Sequence, residues 1–183
     1  MSKLEDGEKL GTRREFAGKM LKLDVDTVRL PNGVTLDLEV VRHPGAAAVL
    51  PLTADGDVIF VYQYRYTVGG AWLMEIPAGK LDSDDEDPRV CAERELLEET
   101  GFRAGRITPL GSIFVSPGFT DERISLYLAQ ELTAGIQELE ADEVLEVRRL
   151  PWAEALEKAT NGEITDAKSA VAILRAARVL AKD

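Results

Sequence analysis

Alternation of apolar and polar residues predicts paired β-strands near the start of the chain. Residues 20–28 alternate in this way, and Pro31-Asn32-Gly33 is a strong turn signal. The segment 13–41 is therefore predicted to contain short strands joined by tight turns. Residues 1–12 are polar, and we expect them to be frayed.

Farther along the chain, strand patterns alternate with helical ones. Strands are predicted over residues 46–52, 58–62, 112–115, 124–128 and 144–150, and helices over 151–161 and 167–181. Alternation of this kind is typical of an α/β protein. We expect an N-terminal strand extension at 1–41, followed by one domain at 42–183.

The clearest helix signal follows an acidic segment. Pro77 and Gly79 predict an irregular loop before it. Asp87 can cap the helix, Pro88 suits its first position, and Gly101 is placed to end it. The sequence therefore predicts a helix over residues 88–100.

Charge and composition exclude several classes of function. The chain has 33 acidic and 22 basic residues, a formal net charge of −11, and no basic stripe for nucleic acid. Cys91 is the only cysteine and His43 the only histidine, which excludes an intramolecular disulfide and a metal site built from several histidines. Carboxylate and carbonyl oxygens remain as metal ligands, and these suit Mg²⁺ or Mn²⁺. Without a signal core or a membrane-spanning run, we expect a cytoplasmic protein that binds no membrane.

Three glutamates share one side of the predicted helix. At about 100° per residue, Glu95, Glu98 and Glu99 fall within a single arc of roughly 100°. Their carboxylates repel one another, and Arg94 alone leaves an excess of negative charge. A bound divalent cation would resolve this conflict, whereas the simpler interpretation is a solvated acidic surface.

The residues around these glutamates resemble the Nudix hydrolase family. Residues 94–102 match the second half of the family signature at every specified position, and Gly79 supplies its opening glycine. Glu86 stands at the required distance before Arg94, but one residue more than the signature allows separates it from Gly79. Counting forward from Gly79 would select Asp85 instead, and the sequence leaves this choice open.

The resemblance implies a fold and a metal site. It implies an α/β/α sandwich around a mixed β-sheet, preceded by the N-terminal antiparallel strand extension. It also implies that Mg²⁺, with Mn²⁺ as a possible substitute, is held by Glu95, Glu98, Glu99 and the backbone carbonyl of Ala78. Arg94 is expected to orient the glutamates, and the glutamates to be exposed ligands.

Segments outside this signature resemble the ADP-ribose pyrophosphatase branch of the family. They are residues 63–66, 72–80 and 116–122, with Pro117 sixteen residues after Gly101. In this branch the resemblance implies contacts of Ser116 and Glu122 with the substrate. Arg65 is expected to bind a phosphate, with a surface arginine as the alternative.

An acidic segment near residue 140 is the expected source of the remaining catalytic groups. The resemblance implies that the general base lies here, and the choice among Glu138, Glu140, Asp142 and Glu143 stays open. Glu140 is our choice for the base and Glu143 for an additional metal ligand. The expected catalytic set is Arg94, Glu98, Glu99, Glu140 and Glu143.

Together these features predict an enzyme that hydrolyses ADP-ribose to AMP and ribose 5-phosphate. One alternative keeps the chemistry with another nucleoside diphosphate sugar, such as GDP-mannose or UDP-glucose. Another is a nucleotide sensor that does not cleave, against which the intact glutamates argue. Because an isolated hairpin needs a partner surface, and because the resemblance implies strand pairing across a two-fold axis, we expect a homodimer.

Overall fold

The computed structural model describes residues 6–83, 85–139, 141 and 143–181. The chain divides into two compact units. The first contains Met1–Pro44 and Phe114–Arg123, and the second contains Gly45–Ile113 and Ile124–Asp183.

The first unit is built on a three-stranded antiparallel sheet with the order β1-β2-β3. Its strands are β1 (Glu8–Ala17), β2 (Lys22–Arg29) and β3 (Thr35–Arg42). Gly33 has a φ of 85° in the turn between β2 and β3, which explains a glycine there. The expectation that residues 1–12 are frayed is wrong for 8–12, because backbone pairing with β2 holds this polar segment in a strand.

Charged residues hold the first unit together on one side. Asp24 and Asp26 are almost completely buried in β2, and Arg42 donates to both carboxylates. Arg42 also donates to Asp121 in the second segment of this unit, at 3.1 Å. A hydrogen bond from Arg14 is the main cause that lowers the pKa of Asp24 to about 2. Burial of these aspartates is possible because each one is paired.

The second unit contains two sheets and three helices among its described residues. One sheet has the order β10-β5-β6, and the other is mixed, with the order β7-β4-β9-β8 and a parallel β4–β9 pair. The remaining strands are β4 (Ala46–Pro51), β5 (Asp57–Arg65), β6 (Ala71–Glu75), β7 (Ala78–Lys80), β8 (Phe102–Phe114), β9 (Arg123–Ala134) and β10 (Leu145–Pro151). The helices are α1 (Pro88–Thr100), α2 (Trp152–Asn161) and α3 (Ala167–Leu180), and Tyr66–Val68 forms a 3-10 turn.

Strand β4 is the centre of the hydrophobic core. Its six residues are all buried, and alternate side chains enter two separate clusters. One cluster joins Ala47 and Val49 to α1, and the other joins Ala46, Ala48 and Leu50 to α2 and α3. The predicted α/β/α arrangement with a mixed sheet is confirmed.

Local sequence signals set the ends of α1. The side chain of Asp87 accepts a hydrogen bond from Arg89 N at 2.8 Å, and Pro88 is the first helical residue. Gly101 ends the helix in the left-handed conformation, with a φ of 71°. These features confirm the predicted helix. In the described part of the chain, no helix is both long and apolar enough to cross a membrane.

Candidate active site

The site forms where α1 passes over the short strand β7. Ala78 and Gly79 pair with β4 in this strand, so the expectation of an irregular loop is wrong for these two residues. Ala78 N donates a hydrogen bond to Glu99 Oε2 at 3.0 Å. Gly79 lies against Glu95, since a Cβ atom at Gly79 would be 1.9 Å from Glu95 Oε1. The family glycine therefore makes room for a carboxylate.

Two of the three helix glutamates are buried. Glu95 is 7% exposed and Glu99 is 2% exposed, so the expectation of exposed ligands is wrong for both. Glu98 is half-buried. The error arose because helical periodicity shows that the three residues share an arc but does not show that β7 covers part of it.

Burial changes the protonation of these carboxyl groups. Burial, together with the negative charge of Glu98 and Glu143 and against the charge of Arg94, raises the pKa of Glu95 to about 7. Burial, with the negative charge of Glu95, raises the pKa of Glu99 to about 8, against the Ala78 N–H group. A nearby cation would stabilise the ionised forms of both residues.

Arg94 contacts the carboxylates of Glu95 and Glu98. Its Nη1 atom donates to Glu95 at 2.6 Å and to Glu98 at 3.2 Å. Its Nη2 atom lies 3.5 Å from Glu86, whose carboxylate also accepts from Asp82 N at 2.7 Å. These contacts fit an orienting role for Arg94. Of the two candidates that sequence counting left open, Glu86 contacts Arg94, whereas Asp85 is exposed.

A polar cavity of about 130 Å³ opens beside these residues. It is lined by Ala78, Gly79, Lys80, Asp82, Arg94, Glu95, Glu98 and Glu143. No three acidic, His or Cys side chains in the described ranges converge closely enough to form a ready-made metal site. The donor set nevertheless fits a hard divalent cation, because four carboxylate residues line one cavity and one of them, Glu95, is buried.

The acidic segment after β9 is attached to the end of α1. Gln137 Nε2 donates to the carbonyl of Glu99 at 2.5 Å, and Glu138 N donates to the carbonyl of Glu98 at 3.0 Å. These bonds use carbonyls that a helix end leaves without intrahelical partners. Glu143 lines the cavity, and its role as an additional ligand stays a prediction. The predicted base Glu140, like Asp142, lies outside the described residues.

Arg65 is held by a partner that the sequence did not reveal. Its Nε and Nη2 atoms donate to Glu75 at 2.8 and 2.9 Å, and Lys168 donates to the same carboxylate. Burial opposes ionisation of Glu75, but the hydrogen bonds and charges of Arg65 and Lys168 outweigh it and lower the pKa of Glu75. The available signal in the sequence was Glu75 itself, a charged residue in the otherwise apolar strand β6.

Ser116 and Glu122 belong to the first unit. The carbonyl of Ser116 accepts from Phe119 N and Thr120 N, both at 3.1 Å, which makes this segment a tight turn. Glu122 lies 3.8 Å from His43 Nε2. The structure thus gathers Ala78, Arg94, Glu95, Glu98 and Glu143 around one cavity in the second unit and places these two residues together in the first.

Cys91 is a buried cysteine that packs against strand β7. The residue is fully buried on α1, and its Sγ atom lies 3.6 Å from the carbonyl of Gly79 and 3.4 Å from that of Lys80. Burial is the main cause that raises the pKa of the thiol to about 12. The thiol therefore packs against β7, and burial disfavours the thiolate that a nucleophile requires.

Comparison with known proteins gives the family. Residues 41–170 match the model of the NUDIX domain. The chain is 43% identical to a methanol dehydrogenase activator from Bacillus methanolicus, with 94% of each chain covered. It is 41% identical to an ADP-ribose pyrophosphatase from Bacillus subtilis, with 94% of this chain and 93% of the relative covered. The protein belongs to the Nudix family and is a Nudix hydrolase, which confirms the expected enzyme class.

Other relatives extend this comparison. A GDP-mannose pyrophosphatase from Cronobacter sakazakii is 36% identical, with 73% of this chain and 77% of the relative covered. A solved structure, "Crystal structure of ADP compounds hydrolase", superposes with a TM-score of 0.84 over all of this chain and 98% of the other, at 21% identity. This likeness supports the fold. Nudix hydrolases generally need divalent metal ions, which agrees with the oxygen donors around the cavity.

Proposed function

We propose that the protein hydrolyses ADP-ribose to AMP and ribose 5-phosphate, with Mg²⁺ as its metal and Mn²⁺ as a possible substitute. The main support is the acidic cavity beside α1 in a chain that is 41% identical to an ADP-ribose pyrophosphatase. An acidic cavity repels a diphosphate unless a cation lies between them. The donor set of this cavity is therefore suited to binding substrate through metal.

Metal binding is assigned to residues of β7, of α1 and of the segment before β10. Glu95, Glu98, Glu99, Glu143 and the carbonyl of Ala78 would hold the cation. When bound, it supplies positive charge that neutralises the diphosphate and polarises the attacking water. Arg94 holds Glu95 and Glu98 in place through the contacts described above.

The remaining steps are assigned to residues outside α1. Glu140 takes the proton of the water that attacks phosphorus, so that a phosphate can depart as the leaving group. Arg65 binds a phosphate oxygen through N–H groups that Glu75 does not occupy. Ser116 and Glu122 contact the terminal ribose of the substrate.

Two alternative functions are suggested by particular relatives. The GDP-mannose pyrophosphatase relative favours the same chemistry on another nucleoside diphosphate sugar, such as GDP-mannose or UDP-glucose. The Bacillus methanolicus relative favours a role in activating a methanol dehydrogenase, which would be exerted on a protein partner. A sensor that binds nucleotide without cleaving it is less favoured, because all three helix glutamates and Arg94 are present.

A substrate panel tests these proposals. ADP-ribose, GDP-mannose and UDP-glucose are incubated with the protein and MgCl₂, and products are separated by ion-exchange chromatography. We expect the highest kcat/KM for ADP-ribose and equal amounts of AMP and ribose 5-phosphate. A clearly higher kcat/KM for a nucleotide sugar would identify that sugar as the substrate instead of ADP-ribose. Absence of cleavage in a folded sample would favour the nucleotide sensor.

We also propose that the protein is a homodimer and that the N-terminal extension, residues 1–41, forms its two-fold interface. The outer strand β1 is exposed along its whole length and so is available to a second copy. Light scattering at micromolar concentration should give twice the mass of one 20.1 kDa chain, and a mass of one chain would contradict the dimer. Cytoplasmic location stays a prediction.

A further inference from the structure

A buried cluster of charges lies behind Arg65. Glu75, at the end of β6, accepts two hydrogen bonds from Arg65 and another from Lys168, near the start of α3. Lys168 Nζ also donates to Asp166 at 3.0 Å. The exposed fractions of the Lys168 and Glu75 side chains are 11% and 3%, so both charges are removed from water. Two cations and two carboxylates together leave the cluster close to neutral.

Neutralisation of Glu75 does not require Lys168. Arg65 already forms a bidentate pair with this carboxylate, which is the favoured geometry for one arginine and one acid. Burying an additional ion pair brings little stability, because desolvation offsets the attraction. The second cation on the same carboxylate therefore calls for an explanation other than stability.

Lys168 restricts the movement of Glu75, and Glu75 restricts that of Arg65. A carboxylate held from two directions cannot rotate to follow a guanidinium that moves. Arg65 remains 39% exposed, and Glu75 occupies only one edge of its fork, so the other N–H groups can bind phosphate. We propose that Lys168 is a positioning residue that fixes, through Glu75, the orientation in which Arg65 binds the substrate diphosphate. This inference rests on the proposed function of Arg65.

The start of α3 also holds the backbone beside Glu75. Asp166 accepts from Ser169 N at 3.0 Å, and Ser169 Oγ accepts from Ile76 N at 2.8 Å. Ile76 directly follows Glu75 in the chain. Side chain and backbone of this strand end are thus attached to the same helix terminus, 93 residues farther along the chain. Arg65 consequently has a rigid support.

A double-mutant cycle tests the proposal in the full-length protein. Lys168→Met and Arg65→Met are made singly and together, and KM and kcat for ADP-ribose are measured with MgCl₂. We expect Lys168→Met to raise KM about tenfold with little change in kcat, a size typical of lost support to a binding residue. In the Arg65→Met background, Lys168→Met should raise KM no further. Lys168→Arg, which keeps the charge, should recover part of the loss.

Controls separate this effect from a general loss of structure. Arg178→Met removes an exposed cation from the same helix and should leave KM unchanged. Circular dichroism and thermal melting identify any variant that fails to fold. Affinity for inorganic pyrophosphate, measured by calorimetry, follows the same cycle without turnover, so a Lys168→Met sample of poor activity is still informative.

The outcomes distinguish this proposal from the proposed function. Absence of ADP-ribose cleavage by the wild-type chain would overturn the proposed substrate, while the pyrophosphate cycle would still test Lys168. A folded Lys168→Met variant with wild-type KM and pyrophosphate affinity would overturn the positioning role. The same holds if Lys168→Met retains its full effect when Arg65 is already replaced.

Discussion

Glu95 and Gly79 approach each other so closely that the chain has no space for a side chain at position 79. A Cβ atom there would lie 1.9 Å from Glu95 Oε1, far inside van der Waals contact. Gly79→Ala must therefore displace either the Glu95 carboxylate or strand β7. Since both border the cavity, we expect kcat/KM for ADP-ribose to fall on the order of a hundredfold.

The contact itself can be tested by a second substitution. Glu95→Ala removes the carboxylate that the new methyl group would meet. In that background, Gly79→Ala should cause little further loss of activity or of thermal stability. Equal losses in both backgrounds, measured as kcat/KM and melting temperature, would show that Gly79 serves some purpose other than making room for Glu95.

Metal binding should release protons near neutral pH. Burial is the main cause that raises the pKa of Glu95 to about 7 and that of Glu99 to about 8, so part of the metal-free protein carries protons there at pH 7. A divalent cation needs the ionised carboxylates. Apparent Mg²⁺ affinity should therefore increase as the pH rises through 7 to 8, and fewer protons should be released at pH 9.

Calorimetry measures this linkage directly. MgCl₂ is titrated into the protein at pH 7 in two buffers of different ionisation enthalpy, and the difference in heat gives the number of protons released. Glu99→Gln should release fewer protons than the wild type. Identical heats in both buffers would show that the two carboxyl groups are already ionised before the cation binds.

The thiol of Cys91 should resist modification in the native protein. The residue is completely buried, and burial raises its pKa to about 12, so little thiolate is present at pH 8. Ellman's reagent should react only after unfolding in guanidinium chloride, in which one thiol per chain becomes reactive. Rapid reaction in native buffer would mean that the contact between α1 and β7 opens readily.

Local signals made α1 predictable, whereas other elements depend on strand pairing that the sequence pattern does not show. Asp87 and Gly101 act within one helical turn of the ends that they set, so the sequence alone locates them. The first half of strand β1, residues 8–12, escaped prediction because the strand is exposed along its length and shows no apolar face. Most of β8 escaped as well, since Gly105 and Gly111 interrupt its pattern.

The same distinction applies within the site. Helical spacing placed the three glutamates on one arc, and the family resemblance implied their roles. The sequence could not show that Glu75 would hold Arg65, because these residues meet only through the pairing of β5 with β6. Lys168 is still more distant in sequence, and the packing of α3 alone brings it to Glu75. Local sequence patterns could not predict contacts that depend on tertiary structure.

Release of AMP from ADP-ribose by glutamate variants of α1 tests the central claim most directly. Glu98→Gln and Glu99→Gln each remove one charged oxygen donor with almost no change in shape, and Glu93→Gln makes the same change at an exposed position of α1. With MgCl₂ present, we predict that the first two variants lose activity on the order of a hundredfold or more, while Glu93→Gln retains it. EDTA should abolish AMP release by the wild type. Near-normal activity in folded Glu98→Gln and Glu99→Gln variants would contradict the assignment of α1 as the metal-binding helix.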